Sequence, residues 1–249
     1  MTVNKNQLLS DIMDLVNRST SSHHSVNAPL PEMEGCKIIA LAHDIAQHDP
    51  SSVEYSYSQL KTWLEKQYKI ISKYIYVLPW RDENEPYASR QDMHDQVFNY
   101  SLFYYLPTNL QYGQNDGQND DNLMLQLTSC RNNNGQRMIL NDVFRVVHDI
   151  IGHFLTEFGF SGKGEFNAML SHRSTLPAEC YPALYCETAC QTMWFEFGPH
   201  LWRKDGSVPV YGNSDWLPRN ERPFSEQKNY YPKIAMQIIT DYLLYSRYA

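Results

Sequence analysis

The chain has 249 residues and a formal net charge of −7, with 42% hydrophobic and 20% charged residues. This length favours a single sizeable domain. The acidic balance, without a dense basic cluster, argues against nucleic acid as a partner. The sequence has neither an apolar stretch long enough for a membrane span nor the apolar core of a signal peptide, so we expect a cytoplasmic protein without membrane contact.

Helical periodicity accounts for most of the chain. Apolar residues recur at helical spacing in residues 8–16, 36–47, 57–74, 90–98, 142–158, 165–173, 184–197 and 233–245. A stretch rich in Ser, Thr and His follows the first of these helices and is typical of a linker. We therefore expect an N-terminal helix and linker over residues 1–31 and a single catalytic domain over residues 32–249.

Strand signals are few. Short runs of β-branched and aromatic residues, each ended by a proline, predict strands at residues 74–78 and 101–106. Residues 123–127 alternate apolar and polar side chains and predict a third strand that pairs with the second. The tract of Asn, Gln, Asp and Gly at residues 109–122 has little to bury and predicts a surface loop or disordered insertion. The predicted class is mainly α with a small β-sheet (α+β).

The strongest functional signal is the hexapeptide that begins at His148 and ends at His153. Two imidazoles and a later carboxylate suit an open three-ligand site, either Fe(II) with O₂ or a catalytic Zn. Residues five apart are separated by about 140° on an ideal α-helix, so the two rings meet only if a π-type bulge or a distortion near Gly152 bends the helix. We expect Asp149 to orient an imidazole rather than to bind the metal.

Glu187 is the predicted third ligand. It is the only charged residue among the sixteen from Cys180 to Phe195. A lone carboxylate in a buried helix is costly unless something neutralises it, and a metal ion would do so. We expect Gln191, one turn later, to hydrogen-bond the same carboxylate or a bound water.

A second carboxylate–imidazole pair, Glu165 and His172, falls on one face of a later helix because the two residues are seven apart. This pair can line the pocket, bind a second metal, or form ion pairs with Arg145 or Arg173. A satisfied buried ion pair without catalytic meaning is the alternative. With Asp149 and Gln191, these two residues complete the predicted catalytic set.

The hexapeptide resembles the His-Glu-Leu-Leu-Gly-His signature of the pterin-dependent aromatic amino acid hydroxylases. Residues 89–92 (Ser-Arg-Gln-Asp) leading to 102–105 (Leu-Phe-Tyr-Tyr) are similar to a Ser-Arg-Asp segment and aromatic strand upstream of that signature, and residues 194–198 (Trp-Phe-Glu-Phe-Gly) resemble the family's glutamate-bearing Val-Glu-Phe-Gly. The similarity is patchy. Asp149 replaces the signature's Glu, and the polar tract has no counterpart in the family.

The resemblance implies the catalytic core of those hydroxylases, with non-haem iron as the metal and tetrahydropterin as a cofactor. It implies Phe103 and Tyr104 as an aromatic platform for the pterin. It also implies Glu196 as the third metal ligand, which we keep as the alternate to Glu187.

We therefore expect a non-haem Fe(II) oxygenase of the monooxygenase or hydroxylase type, with O₂ and a small-molecule substrate as its partners. One alternative is a metal-dependent phosphohydrolase, in which His148 and Asp149 both bind metal together with His94 or His43 upstream and Asp241 downstream. Another is a non-catalytic metal-binding module.

Overall fold

The structure, a computed structural model, describes residues 2–25, 27–82, 84–111 and 121–245. Within these ranges the α-helices are α1 (Lys5–Asp14), α2 (Met33–Ile45), α3 (Glu54–Ile71), α4 (Arg90–Tyr100), α5 (Thr108–Gln111), α6 (Leu140–His148), α7 (Gly162–Ser174), α8 (Tyr181–Tyr185), α9 (Gln191–Phe197) and α10 (Lys233–Tyr245). The strands are β1 (Tyr76–Pro79), β2 (Leu102–Tyr105), β3 (Leu127–Arg131) and β4 (Arg137–Ile139). The predicted class, mainly α with little β-structure, is confirmed. The hydroxylase-like core stays a prediction.

Helix α3 lies at the centre of the hydrophobic core. Leu60, Leu64 and Ile71 are fully buried on one face, because they recur at helical spacing. The helix packs against α1, α6, α8 and β3. Gln67 lies on the same buried face, which makes it a polar group inside the core.

The N-terminal helix α1 packs into this core through residues such as Leu8, which is fully buried, and contacts α3. The segment after it, predicted as a linker, is tied to α7. Arg18 donates to the carbonyl of Ser174 at 2.6 Å, and His24 hydrogen-bonds Asn167 at 3.2 Å. The predicted N-terminal helix and linker therefore contact the domain directly.

The first pair of strands forms a βαβ unit. β1 and β2 are parallel, with Val77 opposite Phe103, and α4 forms the connection between them. Both of these side chains are fully buried. This unit confirms the two strands predicted from their β-branched and aromatic residues.

The prediction of a third strand at residues 123–127 paired with β2 is wrong. Leu123–Leu125 form a short 3₁₀-helix, and β3 pairs with β4 in an antiparallel hairpin. Gly135 closes this hairpin with φ of 78°, a left-handed conformation that suits glycine. The loop that joins β3 to β4 spans only residues 132–136, and a shorter loop costs less entropy to close.

The C-terminal end of the polar tract is anchored to the domain. Asp121 accepts a hydrogen bond from His48 at 2.9 Å. Asn122 is buried and caps the short 3₁₀-helix by accepting from the backbone N–H of Met124. Residues 112–120 lie outside the described residues, so the prediction of a surface loop or disordered insertion there stays a prediction.

Two π-helical segments interrupt the longer helices. α6 continues into the first π-segment, Asp149–Phe154, and α8 continues through the second π-segment, Cys186–Cys190, into α9. Helix α7 packs against both of them. None of the described helices combines the length and the apolar content that crossing a membrane requires.

Candidate metal centre

His148 ends α6 and His153 lies in the first π-segment. In a π-helix residue i bonds to residue i+5, so side chains five apart lie nearly above one another. The two rings meet edge to face, with centroids 5.5 Å apart. Gly152 allows α7 to approach this segment, because a Cβ there would lie 2.8 Å from the Cβ of Ala168. The predicted distortion near Gly152 is confirmed.

Glu165 completes a cluster with the two histidines. Ser161 caps the start of α7 by accepting from the backbone N–H of Gly164, which places Glu165 in the first turn. Oε2 of Glu165 lies 3.6 Å from Nε2 of His148 and 3.4 Å from Nε2 of His153. One ligand atom from each of the three residues lies within 4.8 Å of the others. We call these three residues the His-His-Glu cluster.

The His153 ring is oriented by the backbone. Nδ1 of His153 lies 2.9 Å from the carbonyl oxygen of Phe158. A carbonyl only accepts, so Nδ1 carries a proton and donates it. In the neutral ring the lone pair is then on Nε2, the atom that faces Glu165. This is the tautomer that a metal ligand requires.

The His148 ring is oriented through a chain of buried side chains. Gln67 donates from Nε2 to the Thr175 carbonyl at 3.1 Å and to the Thr175 hydroxyl at 2.8 Å. Its Oε1 therefore accepts from Nε2 of His172, at 3.4 Å. Nδ1 of the neutral His172 ring then carries no proton and accepts a hydrogen bond from Nδ1 of His148, also at 3.4 Å. In the neutral His148 ring the lone pair is then on Nε2, the atom that faces Glu165.

The charges in the cluster depend on one another. Burial lowers the pKa of His153, but the Glu165 carboxylate outweighs burial and raises that pKa to about 9. Burial also opposes ionisation of Glu165, and the two imidazoles reverse this and hold its pKa well below the usual range. Burial, and then the neighbouring His148, lower the pKa of His172, so this ring stays neutral. Two imidazole nitrogens facing one carboxylate fit a divalent cation that replaces the shared proton.

The cluster lies on the wall of a cavity of about 450 Å³, which we call the site cavity. Its lining includes His148 and Glu165 from the cluster. Seven aromatic side chains also line it: Tyr87, Tyr104, Tyr105, Phe144, Phe160, Phe195 and Phe224. The cavity is large enough for a small organic molecule beside a metal ion.

Glu187, the predicted third ligand, lines the same cavity but does not belong to the His-His-Glu cluster. Its carboxylate accepts hydrogen bonds from the Tyr57 hydroxyl, from Gln191 at 3.0 Å and from Asn229 at 3.3 Å. The predicted bond from Gln191 is confirmed. The structure brings Glu165 rather than Glu187 to the two histidines.

Glu196, the alternate ligand implied by the hydroxylase resemblance, also lies outside the cluster. It accepts from Arg219 at 2.5 Å and from Arg222 at 2.6 Å. Two guanidinium groups already neutralise this carboxylate, so it has no need of a metal.

Other predicted site residues take different places. Asp149 lines the cavity, but the Nδ1 atoms that it was expected to accept from are bound to Phe158 and His172 instead. Tyr104 lines the cavity, whereas Phe103 is buried beneath it in contact with Tyr87. The two predicted platform residues alternate sides because they are neighbours on a strand.

The residues of the alternative phosphohydrolase site are not brought together. His94 stacks on Phe98, and His43 hydrogen-bonds Tyr230. Asp241 accepts from Gln237 within α10. None of the three candidates joins the His-His-Glu cluster, which is the one such metal-ligand group found among the described residues.

Sequence reasoning missed Gln67 and the Phe158 carbonyl. Gln67 did carry a signal, because it stands at a position of the apolar stripe of α3 where an apolar residue is expected. The carbonyl carried none, because a backbone acceptor has no side-chain signature. Comparison of this chain with family models, with curated proteins and with solved structures finds no significant match.

Proposed function

We propose that the protein is a non-haem Fe(II)-dependent oxygenase that acts on a small molecule, with the His-His-Glu cluster as its metal site. One observation carries the proposal: Nε2 of His148 and Nε2 of His153 both face the Glu165 carboxylate at the wall of a cavity. Two imidazoles and one carboxylate leave coordination positions open, which is typical of non-haem iron oxygenases. Bound Fe(II) supplies the redox chemistry by which O₂ oxidises a substrate.

The surrounding residues hold the ligands and exclude water. Phe144 stacks on the His148 ring at 5.6 Å with an interplanar angle of 6°, and Phe160 packs on His153 at 4.9 Å. His172 and the Phe158 carbonyl keep the proton of each ligand ring on Nδ1. A rigid ring with a fixed tautomer binds metal without a cost in reorganisation.

Tetrahydropterin as a cofactor rests on the hydroxylase resemblance, with Tyr104 as the residue of the pair that lines the cavity. The third ligand proposed here differs from the one that the resemblance implies. Glu165 is twelve residues after the second histidine, whereas Glu196 is far beyond it. The proposed activity therefore requires iron and O₂, and the pterin is implied by the resemblance alone.

The test is an anaerobic titration of metal-free protein with Fe(II), followed by oxygen uptake in an electrode chamber. We expect one iron per chain and oxygen uptake that depends on the iron. His153→Ala serves as the control and should show neither. A chain that binds no iron, or that binds Zn without any oxygen uptake, contradicts the proposal.

A further inference from the structure

The walls of the site cavity carry more carboxyl groups than guanidinium groups. Six charged side chains line it, four carboxylates and two guanidinium groups: Glu85, Asp149, Glu165, Glu187, Arg145 and Arg219. Arg219 is directed at Glu196, at 2.5 Å, and lies over the Phe195 ring at 5.2 Å. A divalent cation at the His-His-Glu cluster would neutralise Glu165. Glu187 then remains as a half-buried carboxylate in a largely aromatic cavity.

Within the part of the chain that the structure describes, the hydrogen-bond partners of Glu187 are all uncharged. Tyr57 and Asn229 donate to Oε1, and Gln191 donates to Oε2. Tyr57 and Asn229 are themselves buried, so water does not replace them. A carboxylate has about four acceptor positions, and three are used here. Oε2 retains one on a residue that lines the cavity.

Neutral donors compensate burial only in part. Burial raises the pKa of Glu187, the three hydrogen bonds lower it, and the balance is about 7. The π-helical geometry of the second π-segment places this carboxylate at the cavity, and such segments are frequent at functional sites. Glu187 is therefore a positioned carboxylate whose hydrogen-bond partners among the described residues include no cation.

The remaining walls favour an aromatic ligand. Aromatic side chains offer apolar area to a ring and attract an ammonium group through their faces. Phe195 and Phe224 stack on each other with centroids 6.1 Å apart, and both line the cavity that Glu187 and Gln191 also line. A ring and a positive charge in one small molecule would match these two properties of the cavity.

We propose that Glu187 binds the ammonium group of an arylalkylamine and so determines the substrate class of this site. The inference rests on the proposed function, because the bound ring is a substrate only if a metal at the His-His-Glu cluster oxidises it. Binding itself requires only the cavity. Glu187 acts here as a specificity-determining residue that accepts a charged hydrogen bond from the substrate.

The experiment is calorimetric titration of the Fe(II)-loaded protein under argon with 2-phenylethylamine and with 2-phenylethanol, its uncharged counterpart. The titrations are run at pH 8, above the pKa of Glu187, about 7, and below that of an alkylammonium group, about 10. We expect the wild type to bind the amine about tenfold more tightly than the alcohol, since a hydrogen bond to a charged group contributes this much. In Glu187→Gln the two ligands should bind within about twofold of each other.

Glu85→Gln is the matched control, because it removes the same charge from an exposed position on the lining of the same cavity. It should keep the preference for the amine. Iron content is measured on every preparation, and Glu187→Gln should retain the wild-type content. If Glu187→Gln does not fold, as judged by circular dichroism, Glu187→Asp takes its place. The shorter side chain moves the carboxylate away from the ligand, so the preference for the amine over the alcohol should weaken.

The inference is overturned if the wild type shows no preference for the amine, if Glu187→Gln keeps the preference, or if Glu187→Gln loses its iron. The last result would make Glu187 a metal ligand. If the wild type binds no iron at all, the proposed function fails, and the same titrations on the metal-free protein still decide whether Glu187 selects the amine.

Discussion

Glu165 and Glu187 occupy one cavity and differ in their partners. Glu165 lies on α7, which packs against both π-segments, and Glu187 lies within the second π-segment. Burial raises the pKa of both carboxyl groups. The imidazoles of His148 and His153 reverse this for Glu165 and hold its pKa well below the usual range. Neutral donors leave the pKa of Glu187 at about 7.

This comparison shows that the isolation of a carboxylate in the sequence is a poor guide to which carboxylate lies next to the two histidines. Glu187 stands alone in an apolar segment, and folding gives it Tyr57, Gln191 and Asn229 as donors. Glu165 lies among glycines and a lysine in the sequence, and folding gives it two imidazoles. The charge of the partners brought by folding decides which carboxylate suits a cation.

Removing the charge of each carboxylate in turn gives the sharpest test of the comparison. Glu165→Gln should reduce bound iron to background, because an open site with three protein ligands rarely keeps its ion when one is lost. Glu187→Gln should keep it. Atomic emission on anaerobically loaded proteins measures both, and the reverse ranking would show that Glu187 is the ligand.

A buried imidazole outside the cavity extends the comparison. Burial, assisted by Lys228, lowers the pKa of His43 to about 4, whereas that of His153 is raised to about 9 by Glu165. In the unfolded chain His43 takes up a proton near pH 6.5, whereas in the folded protein it stays neutral down to about pH 4. The stability that comes from neutral His43 is therefore complete above pH 6.5 and is lost as the pH falls towards 4. The loss is about 3 kcal/mol.

Urea unfolding of the wild type and of His43→Gln at pH 7 and pH 4.5 measures this effect. The free energy of unfolding should fall more between the two pH values in the wild type than in the variant. An equal fall in both proteins would mean that His43 does not remain neutral in the folded state.

The close approach of α7 to the first π-segment holds Glu165 at the histidines. Gly152→Ala would place a Cβ 2.8 Å from the Cβ of Ala168, so we expect a loss of about 1–3 kcal/mol in the free energy of unfolding. Gly159→Ala is the control, because its Cβ would meet no atom within 4 Å. Thermal unfolding of both variants decides the point, and equal stability would exclude close packing at Gly152.

The chain of hydrogen bonds behind His148 gives the smallest expected effect. His172→Phe removes the acceptor for Nδ1 of His148, and changes of this kind cost about tenfold in metal affinity. His94→Phe, at a half-buried ring stacked on Phe98, is the control and should keep the wild-type affinity. Competition with a chelator measures both. An unchanged affinity in His172→Phe would show that this ring does not orient the ligand.

Much of the local structure follows from the sequence. The helical segments and the two parallel strands were predictable because periodic apolar residues and β-branched runs report which face is buried. The distortion near Gly152 was predictable because two histidines five apart cannot face one point on a regular α-helix. The bond between Gln191 and Glu187 follows from a separation of one turn.

Contacts between distant segments were decided by the tertiary structure alone. Gln67 reaches His172 across 105 residues, and no periodic pattern records which helices pack together. From the sequence either Glu165 or Glu187 could lie next to the histidines. The packing of α7 on the first π-segment places Glu165 there. The sequence determined which side chains are able to bind a metal or a proton, because side-chain type is local. Their partners were decided by folding, because partnership depends on distances that exist only once the helices have packed.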